Sequence, residues 1–548
     1  MQSNEKKNWK MRNKMSLSVV IVGAGVLMSA ATGDPFETSK QLEVFTSVLQ
    51  QVQVNYVDEI GAEQAVGSAI KGMLKELDPY TVYYPEDKIE DVRLLQTGEY
   101  GGVGCVIQKI DKDIYISDLN NSGPAKSAGI QVGDIIKKVG DIPIDNFSIS
   151  DVSSLLKGTP DSEVKVLVER GGKEKAFTFN RQNIKSKAVP FYGMRNDGVG
   201  YLYLDGFTAK ASSEVRNALI ELKKKNPKGI ILDLRGNGGG LLIEAVKIVS
   251  YFSDTKDTIV STRGRGGEIQ DVYRKAAKTL LPDLSLAVLV DDRSASASEI
   301  VAGAIQDLDR GVILGEKSFG KGLVQQIKPL PFGAQMKVTV AKYYTPSGRC
   351  IQRVNYDRDE NGTRTKKPAQ KEFATVSGRP VVDGDGIHPD STLSDAYYPE
   401  FISAMSAKGL DLRYAANVLN SMEDKSPDDF ELSQDQWAAF VRFLAEEEFN
   451  FESLGERKLK QLGKAASELD YLSEDDIQSL LKSVEQRKGR LLESQRSEIT
   501  KYIEDYLVQK RFGLEGALQR SLHRDTQINT AASILLEDGT MNALLGVK

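Results

Sequence analysis

Imidazole, thiol and indole are almost missing from this chain, whose 548 residues include 2 His, 2 Cys and 2 Trp. Catalytic zinc and iron sites usually take two or three imidazoles. His388 and His523 stand too far apart in sequence to suggest one, so a His-rich metal site is excluded. A Ser-His-Asp hydrolase would have to rest on one of these two residues. Cys105 and Cys350 permit at most one disulfide and form no Cys-x-x-Cys motif, which removes dithiol redox chemistry. No basic block lies beyond the N-terminus and the formal net charge is −5. The electrostatic footprint of a nucleic-acid binder is therefore absent, and no nucleic-acid partner is expected.

What is present is globular: 40% hydrophobic and 27% charged residues, and enough chain for three or four domains at ~150 residues each. The first 32 residues read as an export signal. Lys6, Lys7, Lys10, Arg12 and Lys14 precede an apolar run from Met15 to Met28, followed by the small residues Ser29, Ala30 and Ala31. The competing reading is an uncleaved anchor, because Met15 to Thr32 approaches the ~18 apolar residues that span a bilayer. Both place the remainder outside the cytoplasm, in the periplasm or cell envelope, and the anchor would add membrane association through the N-terminus. Val20-Ile21-Val22-Gly23-Ala24-Gly25 imitates a dinucleotide-binding loop, but Met28 stands where a third glycine or alanine is needed.

Residues 33–98 form an N-terminal helical region, with helical spacing from Lys40 to Leu77 that breaks at Asp78-Pro79. Residues 99–183 carry short β-rich runs between Gly and Asp turns. Over residues 184–400, apolar strands (Gly200 to Leu204, Ile230 to Leu234, Leu286 to Val290, Val312 to Leu314) alternate with helical stretches (Ser212 to Lys224, Leu242 to Phe252, Ser298 to Asp307). That alternation argues for an α/β core. Asp357 to Gln370 reads as a surface loop. Residues 401–548 are helical and charged, with Ser473 as an expected N-cap, and read as a helical appendage or dimerisation element.

Three constellations carry chemistry. Tyr100-Gly101-Gly102-Val103-Gly104 leads into an apolar strand, where glycines let backbone amides turn toward an anion. Gly229 to Gly240, GIILDLRGNGGG, is a buried strand followed by a glycine loop and a helix, an arrangement able to hold a phosphate or an oxyanion. The third runs from Val290 to Asp307 and on to Gln326. Within it, Gly315 to Lys321, GEKSFGK, fits seven places of a nucleotide-binding P-loop. Gly322 replaces the magnesium-binding hydroxyl, however, and Pro329 and Pro331 forbid the long helix that should follow. A serine hydrolase with a lysine base explains these residues better. Ser294, Ser296 and Ser298 compete for the nucleophile, and spacing alone does not choose.

SASASEI (Ser294 to Ile300), FGKGLVQQ (Phe319 to Gln326) and DLRGNGGG (Asp233 to Gly240), with LDPYTVYY (Leu77 to Tyr84) and YYTPSGR (Tyr343 to Arg349), resemble the carboxyl-terminal processing peptidases, or tail-specific proteases. The resemblance runs from about Leu42 to Asp390. SGPAKSAGIQVGDIIKKVGDIPI (Ser122 to Ile144), with the 100–104 loop, resembles a PDZ domain, which adds a peptide's C-terminus to a strand edge. The resemblance implies a crotonase-like α/β core of mixed sheet and helices, with an inserted PDZ domain between helical N- and C-terminal regions. It makes Ser296 the nucleophile, Lys321 the general base and Gln325 the residue that orients the lysine. Gly239 and Ala297 supply the oxyanion amides, and Gly101, Gly102, Val103 and Gly104 bind the peptide. Lysine's free pKa is ~10.4, so burial must lower it by roughly two to three units for it to accept the serine proton. No metal or organic cofactor is implied. The expected partners are protein substrates held by their C-termini, and a homo-oligomer stays open. Gly238 departs from the family where proline is common, and Cys350 where a hydroxyl residue is frequent. The alternatives are a catalytically dead PDZ scaffold and a P-loop nucleotidase.

Overall fold

The computed structural model describes residues 34–358, 363–393, 399–422, 426–466, 473–537 and 539–546, so the expected export signal lies outside the described residues. Contacts divide the chain into two compact units, Met1–Tyr83 and Tyr84–Lys548. In the first unit, the helical stretch expected from Lys40 to Leu77 is a pair of helices, α1 (Pro35–Asn55) and α2 (Ala62–Lys75). Asp34 caps α1 by accepting the Phe36 N–H at 3.0 Å, with Pro35 pre-set for the first turn. Beyond α2, Asp78 accepts the N–H groups of Tyr80 and Thr81 at 2.8 and 2.9 Å and fixes the turn at Pro79. No helix among the described residues is long and apolar enough to cross a membrane.

The second unit opens with α3 (Ile89–Thr97) and β1 (Glu99–Gly102). A five-strand path follows, made by β2 (Cys105–Ile110), β3 (Asp113–Leu119), β4 (Ile135–Val139), β5 (Glu163–Arg170) and β6 (Lys173–Asn180) in that spatial order. The helix α4 (Ile149–Leu156) buries Val152 and Leu156 against the sheet. Val164, Val166 and Val168 alternate inward with the period of a strand. Strand β7 (Gln182–Lys185) pairs antiparallel with β1 at the base of this module. β2 lies at the sheet's edge, leaving one row of backbone groups available for another strand.

The mostly parallel sheet contains β8 (Phe191–Met194), β9 (Val199–Tyr203), β10 (Gly229–Asp233), β11 (Ser285–Val290), β12 (Val312–Gly315) and, after the antiparallel hairpin β13 (Leu323–Pro329) and β14 (Gln335–Tyr344), β15 (Ser391–Thr392). Its order is β8-β9-β10-β11-β12-β15, parallel except for β8. Leu202, Ile230, Leu232, Leu286, Val288 and Ile313 face the helices α5 (Ala211–Lys224), α6 (Leu242–Phe252) and α7 (Ala297–Asp307). The alternate residues Tyr201, Ile231, Ala287, Leu289 and Leu314 face the opposite side. Strands buried on both faces read as continuous apolar runs, which is why residues 229–233 and 285–290 stand out in sequence.

The C-terminal helices include α8 (Leu410–Val418), α9 (Gln434–Glu446), α10 (Leu454–Ala466), α11 (Glu474–Lys488), α12 (Arg496–Arg524) and α13 (Thr526–Leu536). Ser473 caps α11 as expected, accepting the Asp476 N–H at 3.2 Å. Aromatic residues Tyr414, Trp437, Phe440 and Phe443 pack with Ile499, Ile503 and Leu507 into a core of their own. The last helices differ from the expected appendage. Ile528, Ala531, Ala532 and Leu535 of α13 cover the second face of the mostly parallel sheet, because that face is apolar and needs a partner layer.

Candidate active site

The turn after β11 begins at Asp291 and ends at Ser296, immediately before α7. The three serines at this junction do different things. Ser294 is fully buried, donating its hydroxyl to Leu234 O at 2.8 Å or Asp291 Oδ1 at 3.0 Å while accepting the Asp291 N–H. Ser298 is fully buried and donates to Asn237 O at 2.8 Å. Ser296 is partly buried and sits at φ +56°, ψ −111°, a backbone conformation costing ~1–3 kcal/mol for a residue with a side chain. Surrounding bonds stabilise it: the Ser296 carbonyl accepts the Ile300 N–H at 3.0 Å and its own N–H donates to Glu299 Oε2 at 2.8 Å.

Glu299 is fully buried and receives four donors. Oε2 accepts the N–H groups of Ser296 and Lys321 at 2.8 and 2.9 Å, and Oε1 accepts the Ser318 hydroxyl and Gly320 N–H at 2.6 and 2.7 Å. Four donors with no acceptor suit an ionised carboxylate, although burial still pushes its pKa above the usual glutamate value. Tyr343 completes the arrangement from the opposite side. Its buried hydroxyl donates to Lys321 O at 2.8 Å and Ser296 O at 3.1 Å, and burial holds the phenol neutral by raising its pKa. Ser296 and Lys321, 25 residues apart in sequence, thus share one acceptor for their amides and one donor for their carbonyls. Sequence reasoning missed both Glu299 and Tyr343. The Ser-x-x-Glu spacing at a helix start was the available signal for Glu299, and the YYTPSGR segment contains Tyr343. After Lys321 the chain continues as β13, with no helix to cradle a phosphate, so the P-loop geometry is absent. Gln325, on β13, donates from Nε2 to Thr339 Oγ1 at 3.2 Å.

The glycine loop between β10 and α6 lies against this turn. A Cβ on Gly239, at φ +101°, would fall 2.6 Å from Ala295 O and 2.8 Å from Ser296 Cβ, so only glycine fits. The Gly239 N–H donates to Asn237 Oδ1 at 2.8 Å. Ala297 is the first residue of α7, where N–H groups lack helical partners. Among the described residues, no group of three or more His, Cys, Asp and Glu could hold a metal ion.

At the small module, Gly101 donates its N–H to Glu90 Oε2 at 2.6 Å and Gly102 belongs to β1, opposite Gln182. Val103 and Gly104 lie between β1 and β2, with Gly104 at φ +73°. Beside them a small pocket of about 30 Å³ is lined by Val103, Cys105, Ile107, Leu156 and the Lys157 stem, among others.

Comparison with known proteins gives a consistent pattern. Residues 198–361 match Peptidase family S41, residues 115–170 match a PDZ domain, residues 390–535 match "Probable PDZ-protease, C-terminal helical domain", and residues 23–88 match "Activating protease CtpB N-terminal domain". The chain is 36% identical over 362 residues to a carboxy-terminal-processing protease of Bartonella bacilliformis, covering 63% of this chain and 82% of that one. It is 32% identical over 344 residues to a probable CtpA-like serine protease of Staphylococcus haemolyticus, covering 61% and 69%. Among solved structures, the photosystem II D1 C-terminal processing protease aligns at 28% identity with a TM-score of 0.38, covering 67% of this chain and 90% of that one.

Proposed function

The chain belongs to peptidase family S41, and on that premise we propose that it is an exported serine endopeptidase that captures protein C-termini at its PDZ domain and cuts with Ser296 and Lys321. The observation carrying this reading is the convergence of both residues on Glu299 and Tyr343, while the hydroxyls of Ser294 and Ser298 are consumed by structural bonds. Ser296 Oγ attacks the scissile carbonyl carbon as its proton passes to neutral Lys321 Nζ, and the carbonyl electron pair moves onto oxygen. The amides of Ala297 and Gly239 receive that oxyanion. Gly239 exchanges Asn237 Oδ1 for the new charge, so the hole completes itself as charge develops. Collapse breaks the C–N bond, and the leaving amine takes the proton from Lys321. Water then gives a proton to Lys321 and attacks the acyl carbon, releasing the carboxylate and returning a proton to Ser296. Gln325, with its amide nitrogen on Thr339, keeps its carbonyl oxygen to orient the lysine.

The peptide's terminal carboxylate meets the Val103 and Gly104 amides, its last apolar side chain enters the pocket between Ile107 and Leu156, and its backbone extends the sheet at β2. The same reading takes the mostly parallel sheet with its two helical layers as a crotonase-like core. Residues 1–32 would direct export to the periplasm or cell envelope. The deciding experiment compares purified wild type with Ser296→Ala on an unfolded protein ending in apolar residues. Loss of cleavage by at least ~10³-fold is expected, and equal rates for the two proteins refute the protease site.

A further inference from the structure

The oxyanion loop is nearly bare of side chains: Gly236, Gly238, Gly239 and Gly240 surround Asn237 alone. Such a segment has little conformational preference of its own, so its path is imposed by bonds: in its middle the Gly236 N–H donates to Asp291 Oδ1 at 2.9 Å, and buried Asn237 donates Nδ2 to Leu204 O at 2.7 Å and accepts the Ala295 N–H at 3.0 Å. At the far end, the Phe207 N–H donates to Gly239 O at 3.0 Å and the Leu241 N–H to Phe207 O at 2.8 Å. At the near end stands Arg235, whose side chain is 18% exposed. Its Nε and Nη2 donate to Asp233, at 3.0 and 3.1 Å from Nε and 2.6 Å from Nη2. Its Nη1 crosses to a distant part of the chain, donating to Asp525 Oδ2 at 3.0 Å and Gln527 Oε1 at 3.1 Å.

We propose that Asp525 and Gln527 are positioning residues of the active site, holding the guanidinium from which the oxyanion loop departs. The inference rests on the protease reading above. Asp233 is saturated, since it also accepts the Tyr201 hydroxyl at 2.8 Å and the Arg235 N–H at 3.0 Å, so it offers Nη1 no substitute. Asp525 is itself fixed: Oδ1 accepts the Ile528 N–H at 2.9 Å and caps α13, which is seated on the sheet by Ile528, Ala531, Ala532 and Leu535. The carboxylate therefore joins a rigid helix to the start of the glycine loop. With both ends and Asn237 anchored, the exchange of the Gly239 amide from Asn237 to an oxyanion is a local rotation. With Nη1 released, the Arg235 end is held less tightly and the donor is aligned less often. Ground-state substrate is held elsewhere, at the module's strand edge, so the loss falls on turnover.

The test uses the full chain carrying Asp525→Ser with Gln527→Ala. Serine preserves the helix cap but is too short to reach Arg235. Removing an oxyanion donor outright costs 10²–10³-fold in kcat, so loosening one is expected to lower kcat by about tenfold to a hundredfold, with KM changed less than about twofold. The inhibition constant of a peptide aldehyde, whose hemiacetal oxygen needs the same hole, should rise by the same factor as kcat falls. Unchanged kcat in a folded double variant overturns the proposal. So does a kcat loss accompanied by an unchanged aldehyde constant, which is the signature of general destabilisation. If the double variant does not fold, Asp525→Ser alone is judged by the same readouts. Ser296→Ala run in parallel separates the two readings: wild-type activity there defeats the dyad, whereas an inactive Ser296→Ala beside a fully active double variant defeats this proposal alone.

Discussion

Glu299→Gln tests whether one buried carboxylate sets the geometry of the proposed nucleophile and base. Glutamine keeps a single acceptor oxygen, so its amide nitrogen must face either the Ser296 and Lys321 N–H groups or the Ser318 hydroxyl and Gly320 N–H. Two charge-assisted bonds at ~1.5–3 kcal/mol each are lost, partly offset because a charge is no longer buried. A net destabilisation of about 2–4 kcal/mol is expected, together with a fall in kcat of order 10²-fold, equivalent to ~2.7 kcal/mol. The pH dependence adds a second check. Because burial raises the folded carboxyl's pKa, its linkage contribution to stability is present below the unfolded value and is lost as pH rises through the folded one. On acidification the stability gap between wild type and Glu299→Gln should therefore move in favour of wild type, while wild-type activity falls as the carboxylate gains a proton and can no longer accept four bonds. Urea unfolding of both proteins at several pH values, with kcat and KM on a short peptide, measures both. A variant within threefold of wild-type kcat, or a stability gap moving toward the variant on acidification, refutes the reasoning.

Ser294→Ala leaves the buried Asp291 N–H unpaired and should cost ~1–3 kcal/mol in denaturant unfolding, whereas Ser298→Ala removes one of two donors to Asn237 O and should cost ~0.5–1.5 kcal/mol, both retaining most activity, unlike Ser296→Ala; an inactive but stable Ser294→Ala would redirect the nucleophile. Ile107→Asp puts a carboxylate in the wall of the small pocket and should weaken binding of an apolar-ended peptide by at least about tenfold in fluorescence anisotropy, with unchanged affinity removing that pocket from tail recognition. Burial pushes the Cys105 thiol up to about 12, so its iodoacetamide labelling at pH 8, followed by mass spectrometry, should run roughly 10³-fold slower than that of a free thiol; labelling at a free-thiol rate contradicts it. Glu456, paired with Lys488 at 2.8 Å across α10 and α11, has its carboxyl held down to about 2. Its stabilisation is present above the ordinary glutamate value and is lost as pH falls through about 2, so Glu456→Gln should flatten the acid limb of unfolding followed by circular dichroism.

Elements governed by local pattern were legible in sequence, and those governed by distant packing were not. Residues 242–252 form the helix their periodicity indicates, and residues 229–233 and 285–290 are strands because both their faces are buried. The three alternating serines could not be ranked by spacing, because their roles depend on where α7 begins: Ser294 falls in the turn beneath Leu234, and Ser298 turns onto Asn237. Glu299 looks like an ordinary acidic residue in a first helical turn. Its burial is decided by residues 318–321, which return across the helix start. Asp525 and Gln527 lie roughly 290 residues from Arg235, with no periodicity to connect them.

The two halves of the site meet opposite demands. A nucleophile and a base must be at fixed separation before substrate arrives, since misplacing reacting groups by about 1 Å can cost ~10²-fold. This half is built from bonds to fully buried side chains, at the expense of positive φ at Ser296 and a carboxylate away from water. In the proposed mechanism the oxyanion half changes partners during the reaction, which a side-chain-poor glycine segment allows and a packed one would resist. Movement there is bounded: with the middle held by Asn237, bonded to Leu204 O and the Ala295 N–H, Arg235 holds one end and residues 207–209 the other. That second anchor also reaches toward the small module, because the Ala209 N–H donates to Gln96 O at 3.1 Å, two residues before Gly98 at the end of α3.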